Sequence, residues 1–121
     1  MQEFKERFEA YGANYQETME RFMGNETLYL KFLNMLFQDE NLQKLGDALE
    51  HNDRKSAFEA AHTLKGVAGN LGLSPLYKAV CAIVEPLRKD EQRNDYMLFY
   101  QTIQSEFQRV DSLRQNQSGG K

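Results

Sequence analysis

Residues 61–72 read AHTLKGVAGNLG, and as an α-helix this stretch has two faces of opposite character. A helix turns about 100° per residue, so positions three, four and seven apart share a face. The apolar face is Ala57 (one turn earlier), Ala61, Leu64, Ala68 and Leu71, and the other face is His62, Lys65, Gly66 and Gly69. An apolar stripe of this kind packs on a protein core. The pattern therefore predicts an exposed histidine on a helix that is buried along its other side.

The composition of the histidine face predicts a chemical role for His62. An exposed imidazole is largely unprotonated at neutral pH and can act as a nucleophile. Each glycine inside a helix costs about 1 kcal/mol relative to alanine, so Gly66 and Gly69 indicate that another molecule must approach closely. Lys65 lies one turn from His62 and can neutralise the oxygens of a phosphoryl group. A surface histidine alone is most often incidental, but this combination on one face favours a site for phosphoryl chemistry.

The remaining segments also show helical rather than alternating apolar periodicity. Helices are predicted near residues 4–11, 15–23, 26–37, 42–50 and about 54–71, then from Ser74 onward and from Asn94 to about residue 113. Helix 26–37 carries apolar residues on more than one face, which predicts a central position. Pro86 is expected to kink or end its helix near Val84 to Glu85.

The predicted fold is all-α: an antiparallel up-and-down four-helix bundle with short additional N-terminal helices. A single domain is expected over residues 1–114, with the core bundle at about 25–114 and a flexible tail at 115–121. Asn14, Asn25 and Asp53 are the expected N-caps of their helices. Gly72 is the expected end of the histidine helix.

Composition limits the classes of function. The net charge is −3, the pI is near 5.4 and no basic cluster is present, which argues against nucleic acid as a partner. No apolar run is long enough to span a membrane, and residues 1–20 are too polar and acidic for a signal peptide. With Cys81 as the one cysteine and only two histidines, no disulfide and no metal site are expected. The sequence predicts a cytoplasmic monomer that binds no cofactor, metal or membrane.

The sequence around His62 resembles the signature of histidine-containing phosphotransfer (HPt) domains. The likeness rests on His62-x-Leu64-Lys65-Gly66, continued by Ala68, Gly69, Leu71 and Gly72. It extends upstream through Asp53 and Ala60-Ala61 and downstream through Leu76, Cys81 and Glu85, so it covers about residues 40–88. Val67 departs from the pattern, since many members carry a small polar residue there, but it lies beside the site. Pro86 also departs from the pattern of the following helix.

This resemblance implies a four-helix bundle whose histidine accepts a phosphoryl group from a receiver-domain aspartate and passes it to another receiver in a two-component phosphorelay. His62 would be phosphorylated at Nε2, Lys65 would stabilise the phosphate, and Gly66 would leave space beside the ring. The receiver, in a response regulator or a hybrid histidine kinase, would supply Mg²⁺. The role of Gly69 in steric access comes from helix geometry alone.

Two alternative functions stay open at the level of sequence. The domain could be the phosphate-accepting module of a separate chemotaxis-type histidine kinase, or a receiver-binding helical bundle in which His62 does no chemistry. Phe58, one turn before His62, and Leu73 could form part of an apolar docking patch. Packing between two helices of the bundle explains Phe58 at least as well.

Overall fold

The computed structural model describes residues 4–118, with side chains described through residue 114. These residues form seven α-helices, and none of them lies in a β-strand. The helices are α1 (Phe4–Tyr11), α2 (Tyr15–Arg21), α3 (Glu26–Leu36), α4 (Asn41–Glu50), α5 (Arg54–Asn70), α6 (Ser74–Arg88) and α7 (Tyr96–Ser118). The predicted all-α fold class is therefore confirmed. Within the described range, no helix is both long and apolar enough to cross a membrane.

Four of the helices enclose the main core. α4 contacts α5, α5 contacts α6, α6 contacts α7, and α7 returns to α4. The short connections at residues 51–53 and 71–73 make consecutive helices neighbours. Side chains from each of the four helices are buried between them, including Leu45, Leu64, Ile83 and Val110. α1 packs against α7 and α2, and α3 packs against α7, so the N-terminal helices lie outside this ring.

α3 is not the central helix that its sequence predicts. Tyr29, Leu33 and Leu36 are buried on one face, but Phe32 and Met35 are 42% and 50% exposed. The apolar periodicity of α3 therefore combines a core face with an apolar surface. The sequence pattern alone does not distinguish these two environments, because both are built from the same residue types.

Side-chain caps define the starts of several helices, as predicted. Asn14 and Asn25 each accept a hydrogen bond from the backbone N–H three residues further on, at 2.9 Å. The Asp53 carboxylate accepts one from the N–H of Ser56 at 3.1 Å, and this bond holds the pKa of Asp53 below its usual value. α5 ends before Gly72, whose φ of +68° is the left-handed conformation that commonly terminates helices.

The N-terminal helices bind the last turn of α5. The buried Tyr29 hydroxyl donates a 2.6 Å hydrogen bond to the carbonyl of Leu71. Burial raises the pKa of Tyr29 far above its usual value, so the hydroxyl stays protonated and donates. Nη1 of Arg21 donates 3.1 Å hydrogen bonds to the carbonyls of Gly69 and Asn70. Since the last carbonyls of a helix lack partners within it, these contacts satisfy the carbonyls of Asn70 and Leu71, while the carbonyl of Gly69 also accepts from the N–H of Gly72 at 3.1 Å.

Pro86 predicts a kink or an end near Val84 to Glu85, and α6 does not end there. It continues through Pro86 to Arg88. The proline side chain is buried, and the backbone N–H of Lys89 bonds to the carbonyl of Glu85 at 3.2 Å. A proline removes only one hydrogen bond of its helix, and here packing and the completed last turn compensate for that loss.

α7 differs from its prediction at both ends. It begins at Tyr96, and the carbonyl of Asp95, rather than a group of Asn94, accepts the N–H groups of Leu98 and Phe99. It continues to Ser118, through the first part of the segment 115–121 that composition predicts to be a flexible tail. The rest of that segment, 119–121, lies outside the described residues.

Candidate functional site

α5 presents His62 to solvent on the side opposite its core contacts. Ala57, Ala61 and Ala68 are fully buried and Leu64 nearly so, which confirms the predicted apolar face. His62 is exposed. The helix is therefore held by one face while the imidazole lies on the other.

The two glycines of the histidine face lie in different surroundings. A Cβ atom added at Gly66 would meet nothing within 4 Å, so the space beside His62 is open there. A Cβ atom at Gly69 would lie 3.2 Å from Cε1 of Tyr77. The missing side chain of Gly69 thus accommodates the Tyr77 ring of α6, which corrects its assignment to steric access. Of the two glycines, only Gly66 leaves open space beside His62, as predicted.

Lys65 and Gly66 accompany His62 on the outer surface of α5. Lys65 is half-buried and one turn from His62, and Gly66 is exposed. The arrangement places an imidazole ring, a cation and an unobstructed approach on one side of α5. These are parts that a phosphoryl transfer site uses, because such transfer depends on positioning and charge neutralisation. Among the described residues, no group of three or more His, Cys, Asp or Glu side chains is arranged to hold a metal ion.

The two candidate docking residues, Phe58 and Leu73, differ in their burial. Leu73 is 0% exposed and belongs to the core, so its prediction as a docking residue is wrong. It follows Gly72 at the N-cap of α6, where the chain turns inward. Phe58 is half-buried, and its ring centroid lies 5.4 Å from that of His62 with 30° between the planes. Phe58 is therefore a direct neighbour of the imidazole.

Arg88 is a neighbour of the site that sequence reasoning missed. Its guanidinium carbon lies 5.3 Å from the centroid of the Phe58 ring. Because Pro86 was expected to kink or end α6 near Glu85, the sequence did not indicate that Arg88 lies beside α5. The signal that could have found it is the i, i+3 pair of Glu85 and Arg88, which is typical of a continuing helix and is observed at 3.5 Å.

An apolar groove lies between α3 and the C-terminal half of α5. We name it the α3–α5 groove; its apolar lining is Phe22, Phe32, Met35, Leu36, Val67 and Leu71, and its polar lining is Arg21, Asp39 and Asn70. The two most exposed apolar side chains of α3, Phe32 and Met35, belong to it. Asn70 lies one turn beyond Gly66 on the surface of α5, so the groove borders the open side of His62. The sequence pattern does not predict this surface, because it favours a central position for α3.

An exposed histidine, a lysine one turn further on and an open approach therefore lie together on one helix of an all-α bundle. The Hpt domain family model matches residues 32–113, which is more than half of the 121-residue chain. The chain belongs to the Hpt domain family, the histidine phosphotransfer modules of phosphorelays. The matched segment contains α4, α5 and α6 entirely, whereas α1 and α2 precede it. No curated protein and no solved structure matches the chain significantly.

Replacement of Gly66 by alanine is expected to have opposite effects on the stability of the protein and on access to His62. Gly66→Ala is expected to raise the free energy of unfolding by up to about 1 kcal/mol, because alanine favours the helix and the new methyl group meets nothing. The same methyl group narrows the approach to His62, so phosphorylation of His62 should become slower. Thermal unfolding and the rate of labelling measure the two effects. Gly69→Ala is the matched control: it must displace Tyr77, so it should gain less stability and leave labelling nearly unchanged.

Proposed function

We propose that this protein is a phosphorelay intermediate in which His62 accepts a phosphoryl group from an aspartyl phosphate of a receiver domain and passes it to a second receiver. Nε2 of the neutral imidazole attacks phosphorus, the bond from phosphorus to the aspartyl oxygen breaks, and the carboxylate leaves with the electron pair. The proton on Nδ1 stays with the ring. The reverse of this step gives the group to the next aspartate, so the protein turns over no substrate of its own.

The observation that carries this proposal is an exposed His62 beside the open space at Gly66 on a helix that is buried along its opposite face. An aspartyl phosphate belongs to a folded receiver domain, so it can reach the imidazole only where no side chain intervenes. Lys65 supplies positive charge one turn away. We propose that the receiver contributes Mg²⁺ together with its own acidic pocket, and that this protein acts as a cytoplasmic monomer.

We further propose that the receiver docks on the α3–α5 groove when its aspartate reaches His62. Membership of the family supports a receiver domain as the partner. Exposed aromatic and methionine side chains are enriched at protein interfaces, and Phe32 and Met35 provide both types beside the site. Asn70, which lines the groove, is the surface neighbour of Gly66 one turn further along α5, so one partner surface can cover both the groove and the histidine face.

Labelling with a phosphorylated receiver tests the proposed transfer. The intact chain is expected to acquire acid-labile, base-stable phosphate when it is incubated with a receiver that carries labelled aspartyl phosphate. His62→Gln should abolish this label. His51→Gln is the control, because His51 is also exposed and its Nδ1–H donates to the Asp47 carbonyl at 2.7 Å, away from the site. Labelling that persists in His62→Gln would contradict the assignment of His62.

The same assay separates the alternative functions. A module of a chemotaxis-type kinase would be labelled from ATP by a kinase core and not by a phosphorylated receiver. A bundle that only binds would associate with the receiver without acquiring phosphate. Either result would replace the proposed phosphorelay function with the corresponding alternative.

Removal of the Lys65 charge is expected to slow the transfer without unfolding the protein. Lys65→Ala should lower the rate at saturating receiver about tenfold, which corresponds to a loss of about 1.4 kcal/mol of transition-state stabilisation. Circular dichroism should show an unchanged helical content. Lys55→Ala makes the same charge change on the same helix, about two turns before His62, and should have little effect. Equal slowing in both variants would show that only the overall charge of α5 matters.

Polar substitution in the α3–α5 groove tests the docking surface. The double variant Phe32→Ser and Met35→Ser is expected to raise the half-saturating receiver concentration about tenfold or more, with little change in the rate at saturation. Leu98→Ser is the control, since Leu98 is exposed on α7, across the bundle from α5. If the control weakens the receiver complex as much as the double variant does, the groove is not the docking surface.

A further inference from the structure

The imidazole of His62 has an aromatic neighbour within its own helix. Phe58 lies one turn before His62, and residues four apart on a helix are adjacent on its surface. The two ring centroids are 5.4 Å apart and the planes are inclined by 30°. This separation lies within the range in which aromatic rings attract each other. The phenyl ring therefore covers one side of the imidazole.

Arg88 contacts the same phenyl ring from α6. Its guanidinium carbon is 5.3 Å from the Phe58 centroid, a distance at which a cation is attracted to an aromatic ring. Glu85 lies 3.5 Å from Nε of Arg88, in the same turn of α6. Phe58 thus contacts His62 within α5 and Arg88 on the neighbouring helix.

The path of α6 places Arg88 at this position. Arg88 is in the last turn of α6, two residues beyond the buried Pro86. A helix that ended at Glu85 would not carry a guanidinium to the level of Phe58. The continuation of α6 through Pro86 therefore has a local consequence for the surroundings of His62.

We propose that Phe58 and Arg88 are positioning residues for His62, an inference that rests on the proposed phosphotransfer function. The torsion about the bond between Cβ and the imidazole has a broad energy profile, so an exposed histidine ring rotates unless a neighbour restricts it. Contact with Phe58 restricts this rotation and keeps Nε2 directed at the incoming phosphorus. Arg88 holds the phenyl ring in place from α6. Neither residue touches the transferred group.

This role for Phe58 differs from docking of a partner. Phe58 is half-buried, and its ring is already in contact with His62 and Arg88 of the same chain. The strongly exposed apolar side chains near the site are on α3, in the α3–α5 groove. A docking residue would change the affinity for the receiver, whereas a positioning residue changes the reactivity of the imidazole even when no receiver is present.

Phosphoramidate, a small phosphodonor, gives the test that needs no receiver. Nε2 displaces ammonia from its phosphorus, so the rate of labelling reports on the imidazole alone. Phe58→Leu is expected to slow this labelling, and transfer from saturating phosphorylated receiver, by between about 10-fold and 10²-fold, as misplaced reacting groups do. The half-saturating receiver concentration should not change. Phe58→Tyr keeps the ring and should retain most of the wild-type rate.

Arg88→Ala is the second variant, and it keeps the test valid if Phe58→Leu fails to fold. Arg88 is exposed, so its removal leaves the core intact. Like Phe58→Leu, it is expected to slow phosphoramidate labelling, but by only a few-fold. In NMR spectra, the nuclear Overhauser contacts between the Phe58 and His62 rings should weaken. Lys89→Ala removes the exposed cation at the C-cap of α6 and should change neither property.

Each outcome distinguishes this inference from the proposed function. If Phe58→Leu and Arg88→Ala are labelled by phosphoramidate as fast as the wild-type protein, the positioning role is wrong. A raised half-saturating receiver concentration with unchanged phosphoramidate labelling would make Phe58 a docking residue and would also overturn it. If the wild-type protein itself takes no phosphate from a phosphorylated receiver, the proposed function fails instead.

Discussion

The burial of one face of α5 is the constraint on which the rest of the structure depends. Ala57, Ala61 and Ala68 are fully buried, and their small side chains allow the neighbouring helices to approach closely. Rotation of α5 by the angle of one residue would move Leu64 toward water and polar groups into the core, at the cost of desolvating them. The packing therefore fixes the orientation of α5 about its own axis, and with it the direction in which His62 points into solvent.

Those features that arise from neighbouring residues in the sequence were predictable. The two faces of α5 follow from helical periodicity, and the caps at Asn14, Asn25 and Asp53 follow from side chains that bond to nearby backbone N–H groups. Gly72 at the end of α5 follows from its freedom to adopt positive φ. His62, Lys65 and Gly66 were found together for the same reason, since they share one helix and need no tertiary contact to meet.

The features that arise from tertiary contacts were not predictable. α3 appeared central because Phe32 and Met35 have the apolar character of core residues, although they line a groove at the surface. Leu73 was a candidate docking residue, but it is 0% exposed because the chain turns inward there. The contact of Arg88 with Phe58 needed both the continuation of α6 and the packing of α5 on α6. The apolar periodicity of one segment does not indicate where another segment packs against it.

The hydrogen bonds at the end of α5 set the length of chain that this helix requires. Tyr29 and Arg21, which bond to the carbonyls of Leu71, Gly69 and Asn70, precede the segment 32–113 that matches the family. A fragment trimmed to that segment keeps His62 and loses both donors, so the final turn of α5 would open to water. Fusion proteins and truncated fragments that retain both donors should therefore start before α2, which ends at Arg21, and not at residue 32, where the family match begins.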